Sequence, residues 1–386
     1  MTRWFKAFIR SASAGGVLLL LAAAFGVFMA NSPEAQQYFD FLKMPLGPLS
    51  VELWVNDVLM VIFFLGVGLE VKHEMIDGEL NTNAKRFLPS IGALFGVLGP
   101  AIIFTLFNLH EPTHLRGWAI PTATDIAFAI GIVSLIGPRV PIALKVFMTT
   151  LAVVDDLIAV IIIAAVYTES LQFMYMGIAL LFIIVLVIMN KKNVINPFPY
   201  IILGIGLWFC IFQSGLHATL AGVILAMTIP YKVMRNGHEI TPVNNWIIAL
   251  HNWIIFLIIP IFGFVNAGVS FAHITLADFS NPIVLGVTLG LFFGKQIGIF
   301  GIMFLLVKMK VVPMPTHASW AHVYGIALCC GIGFTMSLFV NMLAFPAGHE
   351  QEMAKVGIFL GSIISGILGY IVLRYFTEDV SAIEHE

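Results

Sequence analysis

Two adjacent aspartates, Asp155 and Asp156, sit in the apolar run Val-Val-Asp-Asp-Leu-Ile-Ala-Val-Ile-Ile-Ile. An ionised side chain is costly in hydrocarbon, so carboxylates in such a run usually border a wet cavity and handle ions or protons. Adjacent helical residues are about 100° apart with about 1.5 Å of rise, so both carboxyls can face one small cavity. There they would be coupled, each ionisation opposing the other. Asp125, after Pro121 in Gly117-Trp-Ala-Ile-Pro-Thr-Ala-Thr-Asp, is placed to compensate the positive end of a half-helix. Lys295 is the only basic residue deep in an apolar run, a charge partner for an aspartate or for half-helix C-termini. Glu70, His73 and Glu74 cluster with Lys72 at the end of another run. Histidine changes charge near neutrality, which makes that cluster a candidate for pH response and His217 and His251 weaker ones.

The elements that position these residues must cross a bilayer. The 386 residues are 60% hydrophobic and 10% charged, with mean hydropathy +0.99, against roughly 25% charged in a soluble domain. Apolar runs cover nearly the whole length, so one polytopic, all-α domain over 1–386 is expected. At about 20 residues per crossing, twelve spans are expected, near 13–30, 52–71, 87–107, 117–136, 142–167, 172–190, 198–213, 215–230, 247–270, 283–307, 321–345 and 355–375. Fifteen Lys and Arg then fall on one side, and Lys43, Arg116 and Lys355 on the other. That bias places both termini in the cytoplasm. The retained first span lacks a small residue at Phe28, where a signal peptidase would want one.

Two spans are poor helices. The fourth carries Pro121, Thr122, Thr124 and Asp125, and the eleventh reads Cys330-Gly-Ile-Gly-Phe-Thr-Met-Ser337. Irregular backbone at membrane depth is tolerated only against protein or water. Interrupted spans in corresponding halves point to an inverted repeat with its site at the breaks, here approximately 87–167 and 283–375. Glycine ridges at 286, 290, 294, 298 and at 357, 361, 369 suit close helix packing. Cys210, Cys329 and Cys330 lie in apolar segments and read as small buried hydrophobes. The net charge of -2 gives no hint of nucleic acid, and neither a HExxH nor a Walker loop is present. An organic-anion symporter and an intramembrane aspartyl protease are the rival readings. The first wants a deep arginine, which is missing; the second leaves an adjacent acid and a lysine without a task.

The segments Trp118 to Ala129, Asp155-Asp156-Leu, Ser214 to Gly222, Pro260 to Val269 with Asn266-Ala-Gly, Gly294-Lys295 and Cys330 to Ser337 closely resemble the NhaA sodium/proton antiporters, from the first span to the last. The resemblance implies a multi-pass protein of the bacterial inner membrane, with two crossed discontinuous helices. It would expel Na+ or Li+ in exchange for protons, electrogenically and with pH dependence, and need no cofactor. By matching motif, Asp155 and Asp156 would carry Na+, Li+ and protons, Asp125 and Lys295 would be charge partners, and Thr124 would lie in the unwound segment. Glu70, His73 and Glu74 match the cytoplasmic entrance implicated in pH response. The chain departs from the family in three places. Only eight residues separate Pro45 from Trp54, short for the periplasmic β-hairpin through which members form homodimers. His73 stands where an arginine is expected, and the segment before His251 lacks an acid and a second histidine.

Overall fold

The computed structural model describes residues 13–78, 80–168, 171–235, 237–272 and 274–379. Arg3, Lys6 and Arg10, counted above for orientation, lie outside them, as does the side chain of Lys85. The chain is an all-α polytopic membrane protein. Among the described residues eight helices are long and apolar enough to cross a membrane, or ten if each of two bent pairs is one span.

Helix α1, Ser13–Ala30, is apolar throughout. It turns by 112° into α2, Ala35–Lys43, a short amphipathic helix that span counting overlooks because it is too polar and too short to cross. Its Tyr38 and Leu42 are buried, and Tyr38 donates its hydroxyl to Phe264 O at 2.7 Å. The abbreviated segment that follows still closes a hairpin, β1 (Pro45–Leu46) against β2 (Leu49–Ser50), antiparallel with Pro45 opposite Ser50. Gly47, at φ 71°, makes that turn possible. Helix α3 spans Val51–Ile76 with a π-helical turn at Val55–Leu59, and α4 spans Asn83–Asn108.

The fourth span is broken as its proline and threonines predict. A 3-10 segment, His114–Thr122, gives way to extended backbone, and helix resumes at α5, Ile126–Ile136. Helices α6 (Ile142–Val166), α7 (Phe173–Lys191), α8 (Pro197–Gln213) and α9 (Leu220–Thr228) follow. Gly215, at φ 84°, reverses the chain between α8 and α9. The expected eighth span, 215–230, is therefore helical over nine residues only, too few to cross alone. A second small hairpin, β3 (Val233–Arg235) with β4 (His238–Ile240), leads to α10, Pro242–Asn266.

Helix α11, Pro282–Lys308, contains π-helical turns at Gly290–Gly294 and Gln296–Phe300, one on each side of Lys295. The wide turns are often found at functional positions. Its glycine ridge lies against α4: a Cβ on Gly294 would come within 2.5 Å of Pro100 Cα, and one on Gly298 would collide with Phe95 O. The eleventh span consists of α12 (Trp320–Cys329) and α13 (Phe334–Ala344), bent by 43°. The last helix, α14, covers His349–Tyr375. It starts earlier than expected, so Lys355 is in its second turn, donating Nζ to Gly268 O at 3.2 Å.

Packing separates a centre from a wall. The main core joins α1, α5, α6 and α11–α14, whereas α7, α8 and α9 form their own cluster around Leu186, Tyr200 and Leu207. In α6, 61% of the apolar window is buried, against 11% in α7. The carboxylates lie on the helix that protein surrounds.

Candidate functional site

The two breaks meet and are stitched together by side chains. Asp125, 1% exposed, is the N-cap of α5, its Oδ1 accepting from Phe128 N at 2.9 Å. Its Oδ2 accepts from Thr335 N at 3.0 Å and from the Thr335 hydroxyl. Thr335 belongs to the first turn of α13, so one carboxylate closes two helix N-termini. Both termini carry partial positive charge and unsatisfied N–H groups, and an anion between them answers both. Asp125 N also donates to Ile332 O at 2.7 Å, Thr124 Oγ1 to Cys330 O at 2.9 Å, and Ser337 Oγ to Ile120 O at 2.7 Å. From outside, Ser362 Oγ of α14 accepts from Gly333 N and Phe334 N, each at 3.2 Å. The backbone groups freed by unwinding thus find partners inside the protein, as hydrocarbon requires.

Helix α6 brings Asp155 and Asp156 to this crossing, both 1% exposed, and they have different surroundings. Lys295 Nζ lies 2.8 Å from Asp155 Oδ2, which fixes the partner of the one deep lysine. Asp156 turns the other way and borders a cavity of about 430 Å³ together with Asp125 and Thr335. Asp155 Oδ1 and Asp156 Oδ1 are both buried without a hydrogen-bond partner among the described residues. A buried polar atom left unmatched carries a desolvation penalty of about 1–3 kcal/mol, more when charged. Such an arrangement is suited to a group that a cation or a proton satisfies in turn.

The same cavity is bordered by Glu70, His73, Glu74 and His251. The charged end of α3 and Asp156 therefore face one space, which spacing along the chain does not reveal. Thr124 is tied to Cys330 O and is not among the residues that border it. His217 is held by a 2.8 Å contact between Nε2 and Tyr167 O, away from the cavity. Cys210, Cys329 and Cys330 are free and buried.

Beyond the membrane end of α3 a polar network ties it to the loop after α9. His73 Nδ1 lies 2.8 Å from Tyr231 Oη, which donates to Asp77 Oδ2 at 3.1 Å. Lys232 Nζ lies 2.8 Å from the same Asp77 oxygen and 3.3 Å from Glu239 Oε1. The hydrogen bond from Lys232 holds the Asp77 carboxyl below its ordinary range, and burial pushes Tyr231 up to about 12. Sequence reasoning missed Tyr231 and Asp77, which lack apolar flanks to mark them out. It noted Thr335 and Ser337 only as a patch; their small hydroxyls beside glycines at membrane depth were the available signal.

A family model described as Na+/H+ antiporter 1 matches residues 6–373. A protein of Nitrobacter hamburgensis named Na(+)/H(+) antiporter NhaA is 50% identical over 370 residues, covering 96% of this chain and 91% of that protein. One of Brucella anthropi, Na(+)/H(+) antiporter NhaA 1, is 49% identical over 97% of this chain and 95% of its own. Another of Mesorhizobium japonicum, Na(+)/H(+) antiporter NhaA, is 50% identical over 96% and 94%. With a model match spanning nearly its whole length and relatives this similar, the chain belongs to the Na+/H+ antiporter 1 family, whose members are transporters rather than enzymes.

Proposed function

We propose that this protein exchanges Na+, and also Li+, for protons across the bacterial inner membrane. Asp155 and Asp156 are the carriers, Asp125 and Lys295 their charge partners, and both termini face the cytoplasm. The observation that carries the reading is Asp156: buried, lacking a partner at Oδ1 among the described residues, and open to the cavity that Glu70 and His73 also border. The family match supplies the class of cargo.

Facing the cytoplasm, the carboxylates lose protons and take the cation; facing outward, they release it and are reprotonated. Competition at one site is sufficient for coupling, because the loaded and the protonated forms exclude each other. Lys295 offsets one negative charge, so the pair can ionise in sequence rather than resist ionisation together. If both acids discharge for each Na+, a cycle moves one net positive charge inward, worth roughly 2.3 kcal/mol at 100 mV. The potential then helps to drive sodium out. The regions 87–167 and 283–375 act as inverted repeats. The two breaks they contribute cross at Asp125 and give the rocking units a common fulcrum.

The deciding experiment adds Na+, Li+ or K+ to everted vesicles that hold a pH gradient. Dissipation by Na+ and Li+ and none by K+ is expected. A gradient that survives Na+, or that collapses equally with K+, overturns the reading.

A further inference from the structure

A second cavity, of about 610 Å³, opens in the wall formed by α1, α5 and α14, and nothing in the exchange chemistry uses it. Its lining is apolar, with Leu20, Phe128, Phe334, Ile363 and Ile367 prominent and Ser362 at its floor. Leu20, Ile363 and Ile367 are 49%, 57% and 55% exposed, so the opening faces outward from the helices. In a membrane-spanning protein that surroundings is hydrocarbon.

The part of the groove contributed by α14 follows one helical stripe, through Phe359, Ile363, Ile367 and Tyr370. Four residues beyond Tyr370 the stripe continues to exposed Arg374, since residues four apart share a helix face. Tyrosine and arginine together mark the level of the headgroups, and on cytoplasmic surfaces arginine attracts anionic lipids. Arg139 lies beside Arg374, its Nη1 donating to Arg374 O and Thr377 O at 3.0 Å each. From Phe359 to Tyr370 is eleven residues, about 16 Å at 1.5 Å per residue. That is about half of a hydrocarbon core of roughly 30 Å, the depth of one leaflet.

The geometry points to a site for one phospholipid of the cytoplasmic leaflet, an acyl chain lying in the groove and an anionic phosphate at Arg374. The chain end reaches Phe334 and Ser362, where Ser362 Oγ holds the N–H groups of Gly333 and Phe334. The lipid braces the break between α12 and α13 on the side away from Asp156. The inference takes from the proposed function only the cytoplasmic side of the termini, and it stands whether or not the exchange reading does.

The test is native mass spectrometry of the full chain in mild detergent, titrated with phosphatidylglycerol or with phosphatidylethanolamine of the same acyl chains. The wild type is expected to retain phosphatidylglycerol severalfold better. Arg374→Gln should remove that preference, and Ala24→Phe, which fills the groove from α1, should remove the tight adduct itself. Wild-type retention that does not distinguish the two lipids overturns the site. So does an undiminished preference in Arg374→Gln, whose exposed side chain has no part in the core; this second variant decides the matter if Ala24→Phe fails to fold.

Discussion

Lys295 and Asp155 lie 2.8 Å apart with side chains 0% and 1% exposed, while Lys232 and Asp77, also 2.8 Å apart, are 43% and 42% exposed. Equal geometry here means unequal physics. At the surface, water already solvates both ions, salt screens them, and the contact adds little. In the core neither ion has water to fall back on, so each is tolerable only because the other is present. The buried pair therefore has a state that matters to its neighbours: remove or neutralise one charge and the other must find a proton, a cation or a new partner. The exposed pair has no such leverage. A transporter needs the first kind of site for its cargo, and the second serves to hold a loop.

The largest effect is expected at Asp156. Asp156→Asn keeps the shape of the side chain and removes the charge that faces the cavity, so Na+-dependent proton flux in reconstituted vesicles should be abolished while expression and insertion persist. Wild-type flux in this variant would take the carboxylate out of the mechanism and leave the contrast between core and surface without functional meaning.

Next is Lys295. Breaking a buried pair from one side costs about 3–5 kcal/mol, because a charge is left uncompensated, while replacing both partners by apolar groups is often neutral. Lys295→Met alone should lower the melting temperature in detergent, and Lys295→Met with Asp155→Leu should recover most of the loss without restoring transport. Equal destabilisation by the single and double variants would show that the pair is not coupled as its 2.8 Å contact indicates. A smaller effect is expected from Thr335→Val. It removes the hydroxyl that Asp125 accepts from, at about 1.5–3 kcal/mol for a hydrogen bond to a charged group, and leaves the backbone N–H bond in place. Thermal stability and the apparent Na+ affinity should both fall modestly.

Much of the centre was legible in the sequence because charge in an apolar run is conspicuous: Asp155, Asp156 and Lys295 stand out from their neighbours, and Pro121 and the Gly331, Gly333 pair announce broken helices. Span counting also located nearly every helix. It failed where length and composition part company. The amphipathic α2 has too little apolar length to register, and α9 is cut to nine residues by the turn at Gly215. What no linear reading supplies is pairing. Which aspartate takes Lys295, that Asp125 caps two helices from different halves, and that His73 and Asp156 border one cavity are facts of tertiary packing, the first two over separations of 140 and 210 residues. Tyr231 and Asp77 were invisible for the opposite reason: in polar loops, a tyrosine and an aspartate look like any others.

The smallest effects belong to the network at the end of α3, and they separate direct competition from a dedicated pH switch. Lys232 depresses the Asp77 carboxyl, and a depressed carboxyl contributes stability that is fully present above its ordinary value, about 3.9, and lost as pH falls below that through the folded-state value. Between pH 6 and 8 the contribution is constant, so this pair cannot produce an acid shut-off there. Tyr231, pushed up to about 12, keeps its proton and donates it to Asp77, which obliges His73 to donate from Nδ1. The acid limb of transport should accordingly come from protons competing with Na+ at Asp155 and Asp156, with apparent Na+ affinity falling as pH drops. Exchange measured against pH at several Na+ concentrations should recover its full rate at saturating Na+, in the wild type, in Asp77→Asn and in His73→Ala alike. A maximal rate that still collapses at low pH in the wild type and is restored in His73→Ala would assign the switch to the exposed network and reverse the division of labour drawn between the two lysine–aspartate pairs.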